Sequence, residues 1–188
     1  MGSSSSISLD SSEVDEICRE TGFSHSQLKR LFNRFNSLDK ENLGFLRKED
    51  LSSIPELYNP VRDRIIDVLI TDHGQNGHLN FRQFANVLAV FRRKTGHSTG
   101  PNTIENKLRF IFDMYDRDKD NFINQNELLS ILQMIVGDNL PEDQLNAIAD
   151  RTIIELGLPV TEGISYEKFC DCLKKIDIDE KMSMKFLS

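Results

Sequence analysis

One run of the chain offers oxygen ligands at a regular spacing: Asp116-Arg117-Asp118-Lys119-Asp120-Asn121-Phe122-Ile123-Asn124-Gln125-Asn126-Glu127. Asp116, Asp118 and Asp120 supply carboxylates at alternate places. Phe122 supplies a main-chain carbonyl, Asn124 an amide oxygen or a water held by it, and Glu127 two oxygens at once. A hard dication taking about six to eight oxygens at about 2.3–2.6 Å suits this set, and calcium loops draw ligands from places 1, 3, 5, 7, 9 and 12. Asn121 stands at place six, where glycine is usual; asparagine tolerates the left-handed backbone needed there better than most residues. The expected cofactor is therefore one Ca2+, held by Asp116, Asp118, Asp120, Phe122, Asn124 and Glu127. That ion could serve as a fixed brace or as a switch.

Such a loop needs an amphipathic helix on either side, and the chain repeats that arrangement. Polar stretches of the same length start at Asp39, Asp72, Asp116 and Gly157, with Leu46, Leu79, Ile123 and Ile164 at their eighth places. Leu51, Phe84, Leu128 and Phe169 follow just after the twelfth. Self-similarity of this kind outweighs a single motif. It predicts an all-α fold of four EF-hand helix–loop–helix units in two lobes. Paired loops should be joined by short β-bridges, Leu46 with Leu79 and Ile123 with Ile164.

Helix signals set the boundaries. Ser24-x-x-Gln27 is a capping box with Phe23 and Leu28 as its staple. Leu108, Ile111, Phe112 and Tyr115 make a stripe with one buried face. Gly137 should end the helix after the third loop, Pro141 should open the next, and Pro55 should cut short the helix after the first loop. The expected division is 1–23 for an N-terminal segment and helix, 24–94 for the first lobe, and 95–102 for a linker. The second lobe then spans 103–176, with a tail over 177–188. The linker expectation rests on Gly96, Gly100 and Pro101. The tail ends in Met184-Lys185-Phe186-Leu187, which suits either packing on its own lobe or entering a partner groove.

Three loops lack the ligand set. The first has Leu43 at a ligand place and the shorter Asp50 at the twelfth. In the second, Asp72, Asn76 and Asn80 are suitable, but Gly74 has no side chain and Gln83 replaces the bidentate acid. Gly157, Pro159, Thr161 and Lys168 occupy the fourth, where acids are required. These three read as scaffolding.

A net charge of −7 falls wholly on residues 95–188, which hold 17 acidic and 10 basic side chains; residues 1–94 balance 13 against 13. That distribution disfavours nucleic acid and suits a cation or a basic partner, although a solvated acidic surface accounts for it equally well. Three cysteines, Cys18, Cys170 and Cys172, fit a reduced cytoplasmic compartment better than a disulfide scaffold. His25, His73, His78 and His97 have no spaced partner for a triad or a zinc site, so no enzyme is expected.

The chain resembles the calcineurin B homologous proteins, EF-hand subunits of sodium–proton exchangers, and more distantly calcineurin B. The segments that carry the likeness are Glu20–Gln27, Ser37–Lys40, Ile54–Leu57, Ala149–Ile153 and Lys181–Leu187. Family members usually keep both C-terminal loops able to bind calcium; here the fourth has lost its acids. The resemblance implies a hydrophobic groove that holds an amphipathic juxtamembrane helix of a plasma-membrane exchanger and supports its activity, stability or trafficking. The alternative it implies is a regulatory subunit or inhibitor of a calcineurin-type phosphatase, binding the catalytic subunit. The chain's phenylalanines could line such a groove or fill the cores.

Met1-Gly2-Ser3-Ser4-Ser5-Ser6 fits N-myristoylation at Gly2, and an unmodified serine-rich tail fits it too. One acyl chain gives only marginal membrane binding, so peripheral attachment at the plasma membrane would need a membrane partner as well.

Overall fold

The computed structural model describes residues 9–92 and 100–182, without the side chain of Glu56. Gly2, most of the expected linker and residues 183–188 lie outside the described residues. Among the described residues the chain forms ten α-helices and four short strands. Helix α1 (Ser11–Thr21) precedes four helix–loop–helix units. These are α2 (His25–Leu38) with α3 (Lys48–Ser52), α4 (Arg62–Asp72) with α5 (Phe81–Val90), α6 (Ile104–Tyr115) with α7 (Gln125–Val136), and α8 (Glu142–Glu155) with α9 (Tyr166–Leu173). The short helix α10 (Ile178–Lys181) follows. Strand β1 (Phe45–Leu46) pairs antiparallel with β2 (Leu79–Asn80), placing Leu46 opposite Leu79. Strand β3 (Phe122–Ile123) pairs likewise with β4 (Ile164–Ser165), placing Ile123 opposite Ile164. All four eighth-place residues are buried, so each bridge ties two loops and anchors both in the core.

Local chemistry sets the helix ends. Ser24 and Gln27 form the expected capping box at the start of α2. Gly137 ends α7 at φ 61°, and Pro141 is the N-cap of α8. Pro55 begins a 3₁₀ turn, Pro55–Leu57, so α3 stops at Ser52. Its ring removes a backbone donor and disfavours a helical residue before it.

Two hydrophobic clusters divide the core. The larger takes Ile17 from α1, Leu28, Leu31 and Phe35 from α2, Ile66 from α4 and Phe84 from α5. Its rings pack edge to face, Phe32 and Phe35 against Phe81 at 4.9 and 5.5 Å, an arrangement that adds to simple area burial. The smaller has Phe112, Ile123, Ile153 and Ile164 at its centre, with Tyr115, Tyr166 and Phe169 around them.

Helix α6 serves both clusters, which corrects the expectation of a single buried face. Phe112 and Tyr115 turn to the smaller cluster, whereas Phe110 and Met114 join the larger. Lys107, on the same helix, has no exposed surface, and its Nζ lies 2.6 Å from Asp179 Oδ1 of α10. Removing Asp179 would take this partner from the buried Lys107 ammonium, a kind of loss that typically costs about 3–5 kcal/mol. The first described residues of the tail are thus fastened to α6, with Ile178 buried beside that contact. Of the expected linker, Asn102 is buried and its Nδ2 donates to the Arg92 carbonyl at 2.6 Å, tying the end of the first described stretch to the start of the second.

Helix α4 also packs on α6. His73 stacks on Phe110 with ring centroids 6.1 Å apart. Burial pushes the His73 imidazole below its ordinary range, outweighing Asp72 and Asp113, which favour the cation. The unfolded chain therefore takes up this proton more readily than the folded one. The resulting stability is fully present above the ordinary histidine value and is lost as pH falls through the depressed folded one. Between about pH 7.5 and about pH 5.5 the wild type should lose more melting temperature than His73→Phe, which keeps an aromatic ring on Phe110. Parallel losses in both proteins would exclude His73 as a contributor.

Candidate metal centre

Asp116 caps the C-terminus of α6 and is fully buried. From there the third loop folds around its own carboxylates. Asp116 Oδ1 accepts from the Asp120 amide at 3.2 Å, and Oδ2 from the Asn121 amide at 3.0 Å. Asp118 Oδ1 accepts from the Asp120 amide at 3.3 Å, and Asp120 Oδ1 from the Phe122 amide at 2.8 Å. These bonds bring carboxylate oxygens of Asp116, Asp118 and Asp120 within 4.8 Å of one another. Three like charges at that separation repel, and a dication between them reverses the sign of the interaction.

Backbone conformation agrees with that use. Lys119 and Asn121, at places four and six, lie at φ 63° and 67°. This is the left-handed region that the sequence assigned to Asn121.

The remaining predicted ligands occupy the loop's far side. Phe122 begins β3 opposite Ser165. Asn124 caps α7, its Oδ1 accepting from the Glu127 amide at 3.0 Å. Glu127 Oε2 accepts from the Asn124 amide at 3.0 Å, completing a capping box. Its other oxygen, Oε1, accepts from the Arg117 amide at 2.6 Å. Glu127 thus reaches the start of the loop, although its carboxylate stands outside the trio of aspartates. The donors are all oxygen, four carboxylates belong to one loop, and three of them converge. The residues fit a calcium ion.

The other loops close on their own hydrogen bonds and ion pairs, each differently. The first repeats the left-handed places four and six with Asn42 and Gly44, and Asp39 accepts from the Leu43 and Gly44 amides at 2.9 and 2.7 Å. Arg47, at place nine, lies 2.7 Å from Glu41 and 3.4 Å from Asp50. A guanidinium thus joins the acids of places three and twelve. Two carboxylates beside Arg47 raise its pKa above the ordinary arginine value.

The second loop follows another path: Asn76 and Gly77, at places five and six, take φ 54° and 77°. Gln75 and His78 exchange backbone hydrogen bonds at 2.8 and 3.0 Å. Together these make a two-residue hairpin of the type Asn-Gly favours. Gly74 is obligatory, because a Cβ there would meet the Ile70 carbonyl oxygen at 2.5 Å and that of His78 at 2.6 Å.

In the fourth loop, Gly157 at φ 75° terminates α8 instead of providing a ligand place. Its amide donates to the Ile154 carbonyl, and that of Leu158 to Ile153, as in a Schellman cap. Both sequence signals, Asn76-Gly77 and a glycine past a helix end, are present in the residues, and each sends its loop along a backbone path unlike that of the third.

An apolar groove of about 420 Å³ opens among α4, α5 and α6. Ile54, Leu69, Phe84, Leu88, Phe91 and Met114 line it, together with Lys181 and Met182 from the tail. Phe84 and Phe91 therefore serve core and groove together. No helix among the described residues is long and apolar enough to cross a membrane.

The family model for an EF-hand domain pair matches residues 105–185, the half that contains the third and fourth loops. Calcineurin B of Naegleria gruberi is similar along the whole chain. It is 36% identical over 186 residues, which cover 98% of this chain and 99% of that protein.

Proposed function

The chain belongs to the calcineurin B-like EF-hand family as a calcium-binding regulatory protein, and from that premise we propose that it clasps an amphipathic helix of a larger partner in its apolar groove. The observation that carries this reading is the groove itself: about 420 Å³, walled by α4, α5 and α6 and lined mainly by aliphatic and aromatic side chains. Helix-in-groove recognition needs such a cleft for anchors spaced along one helical face. We assign the calcium ion to one site, with Asp116, Asp118, Asp120, Phe122, Asn124 and Glu127 as ligands. Helix α6 joins the two features, since Asp116 ends it and Met114 lines the groove.

The full-length likeness to calcineurin B supports a phosphatase catalytic subunit as the partner. The segments Glu20–Gln27 and Lys181–Leu187 support the other reading, a juxtamembrane helix of a sodium–proton exchanger. Myristoylation at Gly2 rests on residues 1–6 together with the family resemblance, and a plasma-membrane location on the exchanger reading; intact mass after eukaryotic expression reads the modification. Peptides carrying each helix decide between partners when passed over the immobilised full chain with calcium. The phosphatase reading predicts tighter retention of the catalytic-subunit helix, and the exchanger reading the reverse. Leu88→Asp, which places a charge on the groove wall, should weaken the retained helix at least about 10-fold. Equal binding of that helix by wild type and variant would exclude the groove.

A further inference from the structure

The second loop retains an acid for which its own fold has no metal use. Asp72 stands at its first place, yet the loop turns through the Asn76-Gly77 hairpin and Asp72 joins no group of three acidic, histidine or cysteine ligands among the described residues. Its carboxylate reaches across to the third loop, where Oδ2 lies 2.6 Å from Lys119 Nζ. Asp113, at the end of α6, approaches the same ammonium at 3.5 Å and is itself held by Arg109 at 3.0 Å. Arg64 of α4 donates to the carbonyls of Met114 and Asp113 at 2.8 and 3.0 Å, fixing the last turn of α6. The two helices that lead into the second and third loops are therefore fastened at the loops themselves.

Lys119 sits between two ligand aspartates, Asp118 and Asp120, and holds a backbone conformation that costs an L side chain. An ammonium there has two possible uses of its reach. Turned inward, it opposes a dication; turned to Asp72 and Asp113, it leaves the carboxylates to the ion and fixes the backbone between them. The structure has the second arrangement, with the Asp72 side chain 19% exposed.

We propose that Asp72 and Lys119 form a clamp through which the second loop, closed to metal itself, positions the third loop for calcium and links its occupancy to the N-terminal half. The clamp deepens the assignment of calcium to the third loop and rests on it.

Calorimetric calcium titrations of the full-length wild type, Asp72→Asn, Lys119→Met and the double variant test it. Charge alone predicts that Lys119→Met binds calcium more tightly, because a cation beside the site is gone. The clamp predicts the opposite: each single variant binds about 5- to 10-fold more weakly, and the double variant no more weakly than either. Hydrogen exchange adds a readout of coupling, since calcium should protect residues 62–78 in the wild type and not in Asp72→Asn. Tighter binding by Lys119→Met, or an unchanged affinity in Asp72→Asn, would overturn the clamp while leaving the site intact. A wild type that binds no calcium would overturn both.

Discussion

Glu127→Gln should bind calcium at least about 100-fold more weakly than the wild type, a loss of about 2.7 kcal/mol. Glutamine keeps the length of the side chain and one oxygen. That oxygen can still accept from the Asn124 amide, the bond that starts α7, and glutamine serves in capping boxes as glutamate does. Gln83 does so in the second loop, accepting from the Asn80 amide at 2.9 Å. The helix start therefore survives, and what disappears is one negative charge and the second oxygen of a bidentate ligand. Calcium at about a hundredfold above its dissociation constant contributes about 2.7 kcal/mol to the folded state, about 5–10 °C in melting temperature for a chain of this size. Chelation should remove that increment from the wild type and change the variant little. Calorimetry and melting curves together check both halves of the expectation. An unchanged stoichiometry and affinity in Glu127→Gln would mean that the ion sits elsewhere.

The capping role of place twelve explains what could be read from the sequence and what could not. In three loops, the residues at places nine and twelve bond each other's backbone amides or take part in the same box: Arg47 with Asp50, Asn80 with Gln83, Asn124 with Glu127. That job is local, so it survives the loss of metal ligands and preserves the repeat that made the fold legible. The eighth-place pairs, Leu46 with Leu79 and Ile123 with Ile164, were legible for the same reason: a periodic hydrophobe must be buried wherever the repeat places it. Contacts between segments far apart in the chain leave no such period. Lys107 reads as part of the polar face of α6 until Asp179 arrives from α10, and Lys119 reads as loop solubility until Asp72 does. Nothing in the spacing of Arg47 announces a guanidinium between Glu41 and Asp50. The double burial of α6 was hidden for a related reason, since Phe110 and Met114 belong to a second stripe on a helix already assigned one.

Phe112→Ala is the most damaging single truncation expected in the second half of the chain. Phe112 is fully buried and packs edge to face on Tyr166 and Phe169 at 5.2 and 5.4 Å. Arg109 lies over its ring, 5.4 Å from the centroid. Its cluster has few other buried members, Ile123, Ile153 and Ile164 among the described residues, so few neighbours can move in to fill the space. Removing a buried phenylalanine typically costs about 3–5 kcal/mol, and the small cluster places this one toward the upper end. Calcium bound four residues further along restores about 2.7 kcal/mol at a hundredfold excess, comparable with the loss but smaller. The variant should therefore hold the C-terminal half folded only when calcium is abundant, while the larger cluster around Phe35 remains folded without it. Hydrogen exchange with and without chelator separates the two. In Phe112→Ala, chelation should abolish protection in residues 104–173 and spare residues 25–90, whereas in the wild type both regions stay protected. Loss of protection in both regions together would mean that the shared helix α6 makes the chain unfold as one unit, and that the metal braces the whole of it.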